Sequence, residues 1–144
     1  MTDVPPALLV SACLLGTPCN HQAGHSRREA VVALGATYRL VPVCPEVCGG
    51  LSTPRPAAER VGDRVVNVDG DDVTAAYERG AEVAVELARA VGARRAVLKA
   101  RSPSCGSPQV YDGTFSHTLR DGEGMTAEAL RAAGVEVVSE DDLA

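Results

Sequence analysis

Aromatic residues are nearly missing from this chain: its 144 residues include one Phe, three Tyr and no Trp. The core must therefore be aliphatic, drawn from the 45% of residues that are apolar, and Val, Leu and Ala suit helices laid over a parallel sheet buried on both faces. Excess positive charge is missing too. With 14 Lys and Arg against 19 Asp and Glu, the formal net charge is −5. That balance excludes a broad nucleic-acid footprint of clustered cations but leaves room for a small basic pocket. No apolar run nears the ~20 residues of a membrane span. The opening Met1-Thr2-Asp3-Val4-Pro5-Pro6 has neither the cationic start nor the apolar stretch of a secretory signal, so the expected location is the cytoplasm. Without a long linker, repeat or low-complexity tract, the chain is expected to form one domain over 1–144.

Cysteine is present, and in an informative place. Five thiols in a reducing compartment do not suit a disulfide frame, and an odd number leaves one over, so metal or thiol chemistry leads. Three of them close apolar runs. Ala7–Ala12 ends at Cys13, Tyr38–Val43 ends at Cys44, and Arg95–Leu98 runs into Lys99-Ala100-Arg101-Ser102-Pro103-Ser104-Cys105-Gly106.

The remaining pattern supplies the connections. Ser26 is expected to cap a helix through about Gly35 that buries Ala30, Val31 and Leu34. Arg60-Val61-Gly62 and Arg64–Val68 predict a small hairpin excursion. Asp71 or Asp72 should cap the longest helix, which places Val73, Ala76, Tyr77, Gly80, Ala84, Leu87, Ala88 and Val91 on one face and stops at Gly92. Residues 107–124 read as irregular. Thr126 then caps a short helix ended by Gly134, and Val135–Val138 is a last strand. Strands separated by helices imply right-handed crossovers, hence an α/β, three-layer, Rossmann-like fold with a mostly parallel sheet. Ligands bind such sheets at the carboxyl ends of the strands, where Cys13, Cys44 and Cys105 fall.

These cysteines lack the close pairing of zinc ribbons, so a shared site rests on convergence in space, against the plainer reading of buried structural thiols. Three thiolates without a fourth ligand suit a [4Fe-4S] cluster with one open iron; zinc held by three Cys and a water competes. Cys19 reads as a ligand, a sulfur acceptor or an oxidation partner, and Cys48 as a space filler. Glu46, two residues past Cys44, could carry a proton if partly buried, against the commoner reading of a solvated loop carboxylate. Ser102 and Ser104 could hold a substrate or simply satisfy the loop backbone. Gly49, Gly50 and Gly106 allow tight turns and close approach. Lys99, Arg101 and Arg55 could offer positive charge to an anionic cluster or substrate, or pair with surface acids. His21, His25 and His117 form no spaced metal motif and read as surface residues.

Taken in order, Ser11-Ala12-Cys13-Leu14-Leu15-Gly16, Val43-Cys44-Pro45-Glu46 with Gly49-Gly50-Leu51, Pro54-Arg55-Pro56-Ala57 with Glu59, the Leu98–Gly106 block and Tyr111-Asp112-Gly113-Thr114-Phe115-Ser116 resemble the DUF523 family. Its characterised members are thiouracil desulfurases. The resemblance implies a single-domain α/β enzyme with an oxygen-sensitive [4Fe-4S] cluster held by Cys13, Cys44 and Cys105, acting on a small thiolated nucleobase such as 2-thiouracil without nucleic-acid or membrane partners. It further implies catalysis assisted by Glu46 and a serine, with Ser102 favoured over Ser104; Ser104 and Lys99 are themselves expected to bind substrate. Two positions depart from the family: Asn20-His21-Gln22-Ala23-Gly24 replaces its Arg, aromatic and Asp-Gly after Cys19, and Cys48 replaces an aliphatic residue. The rival functions are a non-catalytic sulfur or iron–sulfur carrier and a structural zinc module.

Overall fold

Strand β1, Ala7–Ser11, is buried along its whole length, as a central strand covered on both faces must be. The computed structural model describes residues 4–143, so the leader reading of residues 1–3 lies outside the described residues. A 3-10 turn over Ala12–Leu15 follows β1. Helix α1 (Glu29–Val32) tightens into a 3-10 turn over Ala33–Ala36, strand β2 is Arg39–Val43, and helix α2 is Pro45–Cys48. Strands β3 (Ala58–Val61) and β4 (Arg64–Asn67) form the expected antiparallel hairpin. Helix α3 spans Thr74–Val91 and β5 is Arg95–Leu98. Strands β6 (Gln109–Tyr111) and β7 (Leu119–Asp121) pair antiparallel, helix α4 is Met125–Ala132, and β8 is Glu136–Ser139.

The main sheet has the order β2-β1-β5-β8 with every pair parallel. Pro42 falls on the edge strand β2, where a missing N–H does least harm. The period-2 alternation of β1 sends Leu9 to one face, against Ala84, Ala88, Ala127 and Leu130 of α3 and α4. Leu8 and Val10 go to the other, against Leu14 and Val31. Helices thus cover both faces, giving the expected three layers. At the carboxyl ends of β1, β2 and β5 the chain passes into its Cys13, Cys44 and Cys105 turns.

Several local expectations fail for physical reasons. Ser26 does not cap α1: its amide binds the Cys13 carbonyl and Arg28 that of Leu14, so residues 26–28 follow the cysteine turn and the helix starts only at Glu29. Of its expected core residues Val31 is buried, Leu34 half-buried and Ala30 exposed. Asp72 is displaced one position from the α3 cap, Val73, yet its Oδ1 still accepts the Thr74 amide at 2.9 Å. Along α3, Ala76, Tyr77, Gly80, Ala84 and Ala88 are buried and Val73, Leu87 and Val91 half-buried, and the helix ends at left-handed Gly92 as expected. Thr126 lies inside α4 rather than at its cap, Gly124, because carbonyls of the cysteine loop already serve the first amides: Met125 donates to Pro103 and Thr126 to Ser104. Residues 107–124, expected to be irregular, contain the β6–β7 hairpin.

Two glycines let α2 sit directly on α3. A Cβ on Gly80 would collide with the Pro45 carbonyl, and one on Gly49 with the carbonyl of Ala76. Gly80→Ala should therefore force α2 off α3 and cost about 1–3 kcal/mol, read as a lower urea midpoint with an unchanged slope.

Candidate active site

Each thiol is set by the turn that follows its strand. Cys13 is half-buried in the 3-10 turn, where its carbonyl receives the Ser26 amide at 2.9 Å. Cys44 stands as the N-terminal cap position of α2 with Pro45 at the first helical position, a site that tolerates the missing N–H. Its Sγ donates to the Cys19 carbonyl at 3.6 Å. Cys105 is buried, with its Sγ 3.7 Å from the Ser104 Oγ.

Electrostatics joins these turns into one site. Burial pushes the Cys13 thiol up from 9.0 to about 12, and the neighbouring Cys105, Cys19 and Cys44 push the same way while Lys99 opposes them. Burial likewise lifts Cys19 to about 12, with Cys44 beside it and Arg55 opposing. Cys105 rises to about 12 through burial, against hydrogen bonds from Ser11 and Ser104. In the metal-free chain these three thiols therefore keep their protons at neutral pH, and metal binding has to release them. No group of three His, Cys, Asp or Glu among the described residues is gathered closely enough to hold a metal ion. Tetrahedral zinc needs every sulfur ~2.3 Å from one point. Soft thiols on three neighbouring turns are the donor chemistry that either an iron–sulfur cluster or zinc takes.

Glu46 is neither free nor solvated. Its side chain is 15% exposed, and Oε1 accepts both Arg55 Nε at 2.9 Å and the Tyr77 hydroxyl at 2.8 Å. Arg55, the cation beside it, also donates through Nη1 to the Ser52 carbonyl and Thr53 Oγ1, and through Nη2 to the Cys19 carbonyl at 2.9 Å. Burial and the Glu46 charge both drive the Tyr77 phenol upward, so it stays a proton donor.

The serine loop is tightly bonded. Ser102 Oγ accepts the amides of Ser104 at 3.0 Å and Cys105 at 3.1 Å, closing the turn, while its side chain stays half-buried. Ser104 is buried, with its hydroxyl 3.2 Å from Thr126 Oγ1. Gly106 is required here, since a Cβ would meet the Ser102 carbonyl. Lys99 Nζ lies 3.0 Å from Oε2 of fully buried Glu140, an ionic contact without an aligned hydrogen bond, and Glu140 Oε1 takes the Ala100 amide at 2.7 Å. The three bases each pair with an acid: Lys99 with Glu140, Arg55 with Glu46, and Arg101 with Asp141. The first two pairs are far from the exposed surface pairing that sequence alone suggests for such residues.

Cys19 is buried beside Cys44, whereas Cys48 is exposed at the end of α2, and the three histidines are exposed. Sequence reasoning missed Tyr77 and Glu140 as parts of the site. Tyr77 did carry a signal, being a phenol in a stripe of Ala and Gly, and a buried Tyr hydroxyl needs a partner.

The fold and site define an α/β protein with thiol-bearing turns at the carboxyl end of a parallel sheet. Within that class the chain belongs to the 2-thiouracil desulfurase family, whose model matches residues 8–142. It is 39% identical over 146 residues to the uncharacterized protein YbbK of Bacillus subtilis (strain 168), covering 94% of this chain and 97% of YbbK. It is also similar to a solved structure of a [4Fe-4S]-dependent thiouracil desulfidase, TudS, with a TM-score of 0.91, 48% identity and coverage of 96% of this chain and 93% of that one.

Burial orders the thiols by reactivity. Treating the metal-free chain with iodoacetamide at about pH 8 should modify exposed Cys48 first, with Cys19 and Cys105 about tenfold slower or more, as read by peptide mass spectrometry over time.

Proposed function

We propose that this protein is a [4Fe-4S]-dependent desulfurase that converts a small thiocarbonyl compound such as 2-thiouracil to its carbonyl counterpart, uracil in that case, with release of sulfide and no net redox change. The observation that carries the reading is the gathering of the Cys13, Cys44 and Cys105 turns around one end of the sheet, with Glu46 held two residues from Cys44. The family and the likeness to TudS support it.

In this reading Cys13, Cys44 and Cys105 hold the cluster, and the whole chain acts as one domain. A cluster held by three thiolates supplies a soft Lewis acid suited to a thiocarbonyl sulfur. The protein's own groups do the rest. Glu46 Oε2, which has no protein hydrogen bond among the described residues, takes a proton from the attacking water as its oxygen bonds to the thiocarbonyl carbon. The second proton of that water leaves the new carbonyl oxygen as the C–S bond breaks, sulfur keeps the electron pair, and the products are the carbonyl compound and sulfide, which departs with both water protons as hydrogen sulfide, leaving Glu46 ionised again. Ser102 already accepts two amides, so its hydroxyl hydrogen is free to hold the ring. Lys99, braced by Glu140, provides positive charge on the Cys13 side. Ser104 contributes to binding indirectly, its buried hydroxyl lying 3.7 Å from Cys105 Sγ and 3.2 Å from Thr126 Oγ1. No helix among the described residues is long and apolar enough to cross a membrane. The cytoplasm, where thiols remain reduced, is the proposed location.

Anaerobic iron–sulfide reconstitution followed by an assay for uracil and sulfide tests the assignment. Cys13→Ala, Cys44→Ala and Cys105→Ala should each lose cluster absorbance and turnover, and normal loading in any one removes that cysteine from the ligand set. Glu46→Gln should keep the absorbance and lose about 100-fold in rate. A loaded wild-type chain that leaves 2-thiouracil and other thiocarbonyl bases intact would point instead to a sulfur or iron–sulfur carrier.

A further inference from the structure

Small residues dominate the buried side of α3, where Ala76, Gly80, Ala81 and Ala84 let neighbouring elements approach. Tyr77 interrupts them. It is 3% exposed, and its hydroxyl reaches out of α3 to Glu46 Oε1 in α2, 2.8 Å away. Arg55 Nε reaches the same oxygen at 2.9 Å from a third segment of chain. A carboxylate accepts only, so both contacts are donations to Glu46.

Two donors from different segments on one oxygen fix both the place and the rotation of the carboxylate, and they leave Oε2 without a protein partner among the described residues. Arg55 cannot follow if Glu46 turns, because Nη1 and Nη2 are bonded to Ser52, Thr53 and Cys19. The guanidinium is thus a rigid support shared with the Cys19 loop. The Tyr77 hydroxyl serves Glu46 alone: it makes no other protein hydrogen bond among the described residues.

We infer that Tyr77 is a positioning residue for desulfuration, its hydroxyl acting with Arg55 to hold Glu46 Oε1 and so reserve Oε2 for the reacting water. This rests on the proton-carrying role proposed for Glu46. It adds a group from α3, outside every cysteine block, to the machinery of the reaction. Removing the hydroxyl frees the carboxylate to rotate, and small misplacements of a reacting group are costly in rate.

The test is a double-mutant cycle on the anaerobically reconstituted protein with 2-thiouracil, using Tyr77→Phe, Glu46→Gln and the double variant. Phe keeps the ring and its packing, so iron and sulfide content should equal wild type. Tyr77→Phe should lower kcat about tenfold with KM within about twofold, and should slow the Glu46→Gln background no further. A second readout needs no cluster. In the metal-free protein, the infrared carboxylate band identified by subtracting the Glu46→Gln spectrum should shift in Tyr77→Phe. Wild-type kcat in Tyr77→Phe while Glu46→Gln is slow would overturn the inference alone, as would an equal loss in both backgrounds, which marks a general packing effect. Full activity in Glu46→Gln would instead remove the Glu46 reading, and with it the role of Tyr77 in the reaction, even where the infrared shift confirms the contact.

Discussion

The Arg55 side chain is 5% exposed, and each of its three nitrogens donates to a different part of the site: Nε to Glu46, Nη1 to Ser52 and Thr53, Nη2 to the Cys19 carbonyl. The Cys19 carbonyl in turn receives the Cys44 thiol. One guanidinium therefore ties the loop after β1, the turn after β2 and the proline-rich segment into a single wall. A buried ion pair of this kind adds little stability over an apolar replacement, but breaking it costs about 3–5 kcal/mol because the surviving charge is stranded. Its value here is geometric, since Arg presents a planar fork that Lys cannot copy.

The Cys105 loop is fixed mainly by backbone hydrogen bonds. The first amides of α4 take the carbonyls of Pro103 and Ser104, Gly124 donates to Gly106, and Ser102 Oγ caps the amides of Ser104 and Cys105. The Cys105 loop is thus held at its strand, at its own turn and at a helix start. Buried Glu140 does similar work one strand over, bonding the Ala100 amide and pairing with Lys99. These supports hold the turns that carry Cys13 and Cys105 in fixed places at the end of the sheet. The Asn20 loop, which departs from the family pattern, makes its own turn: Asn20 Oδ1 accepts the amides of Gln22 and Gly24, and the His21 carbonyl receives the Arg55 amide.

What the sequence reveals follows from how local each cause is. The strands at Cys13, Cys44 and Cys105 were legible because an aliphatic run ending in a polar turn needs no distant partner to be recognised. The long helix was legible from its stripe and Gly92. Ser26 misled because its amide is taken by the Cys13 carbonyl, a contact between separate segments. Thr126 misled because α4 is capped by a loop that precedes it by some twenty residues of chain. The β6–β7 hairpin has strands of three residues each, too short for a period to register. Tyr77 was legible only as one residue of the α3 face and Glu140 drew no reading, because their partners, Glu46 and Lys99, lie on other elements.

The central claim is that three strand-end thiols hold one iron–sulfur cluster with an iron left open to substrate. Mössbauer spectroscopy of the protein reconstituted anaerobically with isotopically enriched iron, recorded with and without 2-thiouracil, tests it most directly. The account predicts about four irons per chain, one of which changes its signal when 2-thiouracil is added while the others do not. A folded chain that takes up no cluster, or a cluster whose irons all ignore the substrate, would contradict it.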